Sequence, residues 1–291
     1  MGSTYQKILQ EIAIMKRCRH PHIVRLLEVI DDKIYKKIYM IMEFLGGGEI
    51  KWRDKDGNPL LRVDQSRRII RDVVLGLEYL HHQGIIHRDI KPANLMWTSD
   101  RRTVKITDFG VAHSSWAQRL AESGEENAHR DSTDHLFDDS ELAKTAGTPS
   151  FLAPEVVWNG SSVSESTTPS SGAHLSPSPR PPITKAIDVW ALGVTLYYLL
   201  FGEIPFRADS EWALYQVIAT EDWTVPETMG LDRIPTGGRH PTPGPNGKLS
   251  EGGVVVSFLE RLLEKNASKR ITLDEVKVRV VHLFSTIYRI P

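Results

Sequence analysis

A single cysteine, Cys18, stands among 291 residues, so the chain can form no internal disulfide. That scarcity suits a reducing, cytoplasmic setting, and Cys18 itself reads as a small buried residue on a helix. Excess charge is lacking too. A net charge of −1 gives no global signal for nucleic acid or an anionic membrane, and neither is expected as a partner. No hydrophobic run is long enough to cross a bilayer: Val189 to Phe201 is the most apolar stretch, against about 20 residues for a spanning helix. It reads instead as a buried core helix. The first twenty residues alternate apolar and charged positions, unlike a secretory leader. The eleven histidines show no metal-ligand spacing, since "HPH" at 20–22 and "HH" at 81–82 lack partners at helical or finger offsets. No internal repeat is visible. These absences predict a soluble, intracellular protein of ordinary composition, 40% hydrophobic and 25% charged.

The pattern that is present begins with a helix. "STYQ" reads as a capping box, Ser3 with Gln6, followed by Ile8, Ile12 and Met15 at helical spacing. Two strand-like runs, Ile23 to Ile30 and Ile38 to Phe44, precede a flexible "GGG" at 46–48. Helices then dominate. Asp64 to His82 carries apolar pairs at helical spacing with Gly84 just past its end, and Thr184 to Phe201 is apolar nearly all round. Further helices are expected at 210–220, 254–265 and 272–284, the last opening on a capping box of Thr272 and Glu275. Three stretches read as surface insertions: 114–145, with eight acidic and three basic residues; the Ser/Pro-rich 159–182; and the Gly/Pro-rich 236–253.

The chemistry gathers in "IIHRDIKPANLMW", Ile85 to Trp97. Phosphoryl transfer requires a carboxylate to orient the attacking hydroxyl, hard oxygen ligands for magnesium, and a cation to meet the charge on the transferred group. Asp89 would orient the hydroxyl and accept its proton, Lys91 would neutralise the γ-phosphoryl, and Asn94 would bind a metal. "DFG" follows at 108–110 after the strand-like "TVKIT", so Asp108 can supply a second metal ligand. "DFG" alone would be a common turn. With "APE" at 153–155 and "DVWALG" at 188–193 the set is specific.

On these motifs the sequence resembles the eukaryotic protein kinase family over roughly residues 5–277. The resemblance implies an α+β, two-lobed fold with ATP and Mg2+ in the cleft, a small-lobe remnant over 1–45 and a mostly helical large lobe over 46–285. It makes "MEFL" the adenine hinge, with Met42 as gatekeeper and Glu43 and Leu45 beside it. Glu49 becomes a ribose or substrate contact and Met96 the adenine floor. Glu11 matches the small-lobe helix glutamate that pairs with a lysine. Met15, Leu26, His87 and Phe109 match an apolar column joining the lobes. Asp188 would brace the catalytic loop, Arg270 would pair with Glu155, and Thr148 would contact Asp89 and Lys91. Arg88 commonly pairs with a phosphorylated activation-segment residue, for which Thr145 is the nearest candidate, with the acidic stretch 114–145 as an alternative partner.

Lys91 favours Ser or Thr as acceptor. Ala93 removes a carboxylate that could pair with a substrate arginine, which favours a folded kinase as substrate. "GGGEIKW", "HRDIKPANL", "DFGVAH" and "GTPSFLAPE" together resemble the calcium/calmodulin-dependent protein kinase kinases, including activators of AMP-activated protein kinase. No glycine-rich loop or lysine-bearing strand precedes Glu11. The chain is therefore expected to be an N-terminally truncated kinase domain, without the calmodulin-binding tail that the family carries beyond it. A non-catalytic kinase-like interaction module is the rival expectation.

Overall fold

The computed structural model describes residues 4–115, 142, 145–158 and 180–285. Ser3, the expected cap of the first helix, lies outside them, as do most of 114–145 and 159–182. Helix α1 spans Thr4–Arg17 and turns Ile12, Ile14 and Met15 inward. Strands β1 (Leu26–Asp32) and β2 (Lys37–Met42) pair as an antiparallel hairpin, with a bulge at Leu27.

Both strands are shorter than their apolar runs. Ile23 and Val24 leave the hairpin because the lower sheet captures them: Ile23 bridges Ile106, and the Val24 N–H donates to the Ile106 carbonyl at 2.9 Å. The "HPH" segment makes this join, with a His22 ring nitrogen 3.0 Å from the Val104 carbonyl. At the far end Phe44 lies beyond β2, exposed.

The "GGG" run is not merely flexible. Its last glycine enters β3 (Gly48–Glu49), which pairs with β5 (Leu95–Trp97), itself paired with β6 (Val104–Ile106). A second small ladder joins β4 (Ile85–Ile86) to β7 (His113–Ser114).

Helix α2 (Val63–His82) starts one residue earlier than expected, where the Arg62 N–H is capped by Gln65. Helix α3 (Ala186–Phe201) is buried nearly throughout and ends on Gly202. Trp190 of α3 stacks on Phe206 at 5.7 Å. Helix α4 (Glu211–Thr220) is capped by Ser210. A hairpin of β8 (Thr228–Met229) and β9 (Ile234–Pro235) leads to α5 (Glu251–Leu262). Helix α5 begins three residues before the expected 254, because the Ser250 hydroxyl accepts the Gly253 N–H at 3.1 Å and recruits both glycines into the first turn. Helix α6 (Leu273–Ser285) opens on the expected capping box of Thr272 and Glu275.

The mixed α/β content, with one helix and a two-stranded hairpin above a largely helical body, matches the expected kinase-like fold. The core runs from α1 through α2 and α3 to α5. One buried charge stitches α2 to the sheet: Asp72 accepts the Val104 N–H at 3.0 Å.

Candidate active site

The segment between β4 and β5 carries Asp89, Lys91 and Asn94, and a single 3-10 turn, Pro92–Asn94, folds Asn94 back beneath Asp89. The Asn94 amide donates to the Asp89 carbonyl at 2.9 Å and to Asp89 Oδ2 at 3.0 Å. Lys91 Nζ lies 2.7 Å from the same oxygen. Thr148 reaches the other oxygen, Oδ1, through its N–H at 2.9 Å and its hydroxyl at 2.7 Å. Lys91 also donates to the Thr148 hydroxyl at 2.6 Å, so the proton order runs from Lys91 to Thr148 to Asp89. Burial raises the Asp89 pKa, but the bonds from Lys91 and Thr148 outweigh it and hold the carboxyl below its usual range. Asp89 is therefore an ionised, fully engaged carboxylate that is only 6% exposed.

The loop is braced from below by α3. Asp188, wholly buried, accepts the His87 N–H at 2.9 Å and the Arg88 N–H at 2.8 Å. His81 of α2 completes the brace, 2.8 Å from Asp188 Oδ2. Burial raises the Asp188 pKa, and the His81 bond with the neighbouring His87 more than reverses it. This brace lets Arg88 adopt φ +70°, a strained conformation for a residue with a side chain. Gly147 packs on the Arg88 carbonyl so closely that a Cβ there would lie 2.5 Å from the oxygen, which requires glycine.

His87 is packing rather than acid–base machinery. Its ring donates to the Thr107 carbonyl (3.0 Å) while its other nitrogen accepts the Asp89 N–H (3.3 Å), which fixes a neutral tautomer. Burial lowers its pKa. Phe109 meets it edge-on at 5.1 Å, and Met15 belongs to the same buried core, with Leu26 packed against it.

Thr107 also donates to the Asn94 carbonyl through its N–H at 2.9 Å, which sets Asp108 beside the Asn94 turn. Asp108 is exposed and strained at φ +62°. The Asn94 amide nitrogen is spent on Asp89, so its carbonyl oxygen is the atom left for a cation. One amide oxygen and one carboxylate at a strand end fit magnesium, which takes few protein ligands and completes its shell with water and phosphate. Among the described residues no cluster of three or more His, Cys, Asp or Glu side chains could hold a metal.

The upper part is less complete. Glu11 of α1 has no ion-pair partner among the described residues. Burial and then the Asp108 carboxylate raise its pKa. In the expected hinge segment, the Glu43 side chain is engaged: its carboxylate accepts the Arg25 N–H at 2.8 Å and pairs with Lys105 at 2.6 Å. Leu45 is buried, Met96 is half-buried with its backbone opposite Glu49, and the Met42 side chain is 44% exposed. The structure thus assembles Asp89, Lys91, Asn94 and Thr148, sets Asp108 beside them, and leaves Met42 at the open rim.

Away from the cleft, Glu155 and Arg270 form a buried two-pronged ion pair at 2.7 and 2.9 Å. Thr145 is exposed, three residues before Thr148. Sequence reasoning missed His81 and Lys105. In the sequence His81 reads only as one half of an "HH" pair without metal-ligand spacing, and its distance along the chain from Asp188 carries no local signal. Lys105 sits in "TVKIT", where strand alternation could have marked it as pointing away from the core.

The sequence matches the protein kinase domain family over residues 2–281. It is 44% identical over 279 residues to the serine/threonine-protein kinase ssp1 of Schizosaccharomyces pombe, covering 95% of this chain and 34% of that protein. Against SNF1-activating kinase 1 of Saccharomyces cerevisiae it is 41% identical over 285 residues, 94% of this chain and 23% of the relative. It is also 33% identical to the calcium/calmodulin-dependent protein kinase kinase of Caenorhabditis elegans, over 94% of this chain and 39% of that protein. The chain therefore spans well under half the length of these relatives. With the catalytic-loop network, the strained Asp108 and these matches in agreement, the chain belongs to the protein kinase domain family.

Proposed function

We propose that the protein containing this chain is a Ser/Thr protein kinase that transfers the ATP γ-phosphate, with Mg2+, to the activation loop of another kinase. The observation that carries this reading is the Lys91–Thr148–Asp89–Asn94 network beside Asp108. Asp89 would take up the acceptor hydroxyl's proton, with Thr148 yielding one of its two bonds. Lys91 stands within reach of the charge that develops on the transferred group. Asn94 and Asp108 would hold the magnesium ion, which supplies charge neutralisation at the phosphates. The hinge backbone at Glu43 and Leu45, with Met96 below and Glu49 at the rim, would hold the nucleoside. The names of the yeast and nematode relatives support a kinase as substrate and calmodulin as a regulator acting outside these residues. A cytoplasmic setting accords with this, and no helix among the described residues is long and apolar enough to cross a membrane.

The test is phosphate transfer by the natural polypeptide containing residues 1–291 onto a catalytically inactive kinase with an intact activation loop. Asp89→Asn should lower transfer by a factor of about 10² or more, with ATP binding retained. Full activity in that variant would refute the role of Asp89. Thr145→Ala reads the control step: an unchanged rate would remove Thr145 as a phospho-switch.

The second reading, a non-catalytic interaction module, is favoured by the Glu11 carboxylate, which has no ion-pair partner among the described residues and feels the like charge of Asp108. Phosphate transfer to a protein substrate by residues 1–291 alone, abolished in Asp89→Asn, would rule it out.

A further inference from the structure

The small sheet β3–β5–β6 has two faces, and Met96 and Trp97, consecutive on β5, leave it on opposite sides. Behind the nucleoside floor, on the Trp97 side, a cleft of about 950 Å³ opens between this sheet and the first turns of α2. That size lies at the top of the range for small-ligand pockets, about 300–1,000 Å³, and suits a stretch of peptide.

The lining is unusual for this chain. Lys51, Arg53, Arg68, Arg101 and Arg102 face the cleft against one carboxylate, Glu49. The whole chain carries a net charge of −1, so the cationic excess is local. Two of these cations are partly occupied: Arg68 lies 3.6 Å from Asp64, and Arg53 stacks over Trp52 at 4.5 Å. Lys51, Arg101 and Arg102 form no ion pair with any described residue, and all three are exposed. The nearby Asp100 is bonded by the Thr98 hydroxyl and the Arg102 N–H, and it also feels the Arg102 charge without forming an ion pair with it. Between the cations lie Trp52, Leu61 and Trp97, half-buried apolar surfaces.

We propose that this cleft docks an acidic peptide segment of a protein partner, its carboxylates meeting Lys51, Arg101 and Arg102 and its apolar side chains packing on the two tryptophans. The mixture decides between ligand classes. A phosphate polymer would use the cations and leave Trp52, Leu61 and Trp97 against water. An acidic segment with interspersed Leu or Phe satisfies both kinds of surface. The cleft shares Glu49 with the rim of the proposed nucleoside site but no residue of the catalytic loop, so the proposal does not depend on phosphate transfer.

The experiment measures fluorescence anisotropy of a short labelled peptide that alternates Glu with Leu and Phe, titrated with residues 1–291. Binding is expected, weakening as salt rises from about 0.05 to about 0.3 M as its charges are screened. Lys51→Glu with Arg102→Glu should weaken it by about tenfold or more. Arg101 is left intact because its φ of +54° makes substitution a backbone perturbation as well. Trp97→Leu, which keeps an apolar residue, is the second variant and should weaken binding without changing its salt dependence. Unchanged affinity in the charge-reversed variant, with an unchanged melting curve, would overturn the proposal. So would equal binding of a matching lysine-containing peptide, or equal displacement by inorganic polyphosphate, which would mark a general anion patch.

Discussion

At the scale of single residues, two carboxylates of the cleft sit in opposite electrostatic situations. Asp89 collects four donors and is held ionised; Glu11 collects none among the described residues and faces Asp108. The linkage for Glu11 follows directly. Its folded pKa lies above its unfolded value, so ionised Glu11 disfavours the fold at pH values above that range, and the penalty vanishes once both states are protonated. Glu11→Gln in residues 1–291 should therefore raise the melting temperature at pH 7, with the gain disappearing near pH 4. Thermal unfolding of the two proteins at both pH values checks this. A lower melting temperature at pH 7 would mean that Glu11 has a cationic partner after all. A full-length form in which a lysine reaches Glu11 should show the reverse sign, because removing one member of a partly buried pair is destabilising.

Between elements, contacts over long sequence separations do the work. The Glu155–Arg270 pair ties the segment before α3 to the one before α6, and Arg270 also donates to the carbonyls of Ala186 and Glu264. Arg270→Met leaves a buried Glu155 carboxylate and should cost about 3–5 kcal/mol. Replacing both members with Met should cost less than the two single losses added together. Urea unfolding of the three variants reads this coupling. The junction of α5 with the β8–β9 hairpin makes a prediction of unexpected sign. Glycine in a helix is ordinarily worse than alanine by about 1 kcal/mol, so Gly252→Ala should stabilise α5 on propensity alone. A Cβ on Gly252, however, would lie 1.9 Å from the Pro235 carbonyl oxygen. Overpacking of about 1–3 kcal/mol should win, and the denaturation midpoint should fall.

For the molecule as a whole, apolar surface is divided unequally. Helix α3 and its neighbours bury their aliphatic side chains almost completely, while the β1–β2 hairpin exposes Leu27, Ile30, Tyr39, Ile41 and Met42, with Phe44 beyond it. Ile30 faces Tyr39 across the ladder and Glu28 faces Ile41, so one side of the hairpin is largely apolar and open to water. A two-stranded sheet is marginal by itself, and an uncovered apolar strand pairs readily with another chain. A polypeptide of residues 1–291 should thus self-associate with rising concentration. Ile41→Lys together with Tyr39→Lys should suppress this in sedimentation velocity without lowering the melting temperature of the helical body. Unaltered association would place the sticky surface elsewhere.

The sequence by itself determined which chemistry is present and most of the helical frame. The "HRDIKPAN" and "DFG" motifs place the chain in its family, and α2, α3 and α6 announce themselves through apolar periodicity and caps, which are local properties. It also located the hairpin, though not its ends. What only the tertiary structure decided depends on partners far along the chain. Ile23 leaves its strand because Ile106 is available, 83 residues on by number, to take its backbone bridge. Gly48 becomes strand because Trp97 lies opposite, and the α5 glycines join a helix because Ser250 caps them and Pro235 crowds one of them. The brace of Asp188 by His81, the Glu43–Lys105 pair and the lack of an ion-pair partner for Glu11 among the described residues were equally invisible. A hydrogen bond or a charge contact is a relation between two positions. A one-dimensional pattern reports only the periodicity of each.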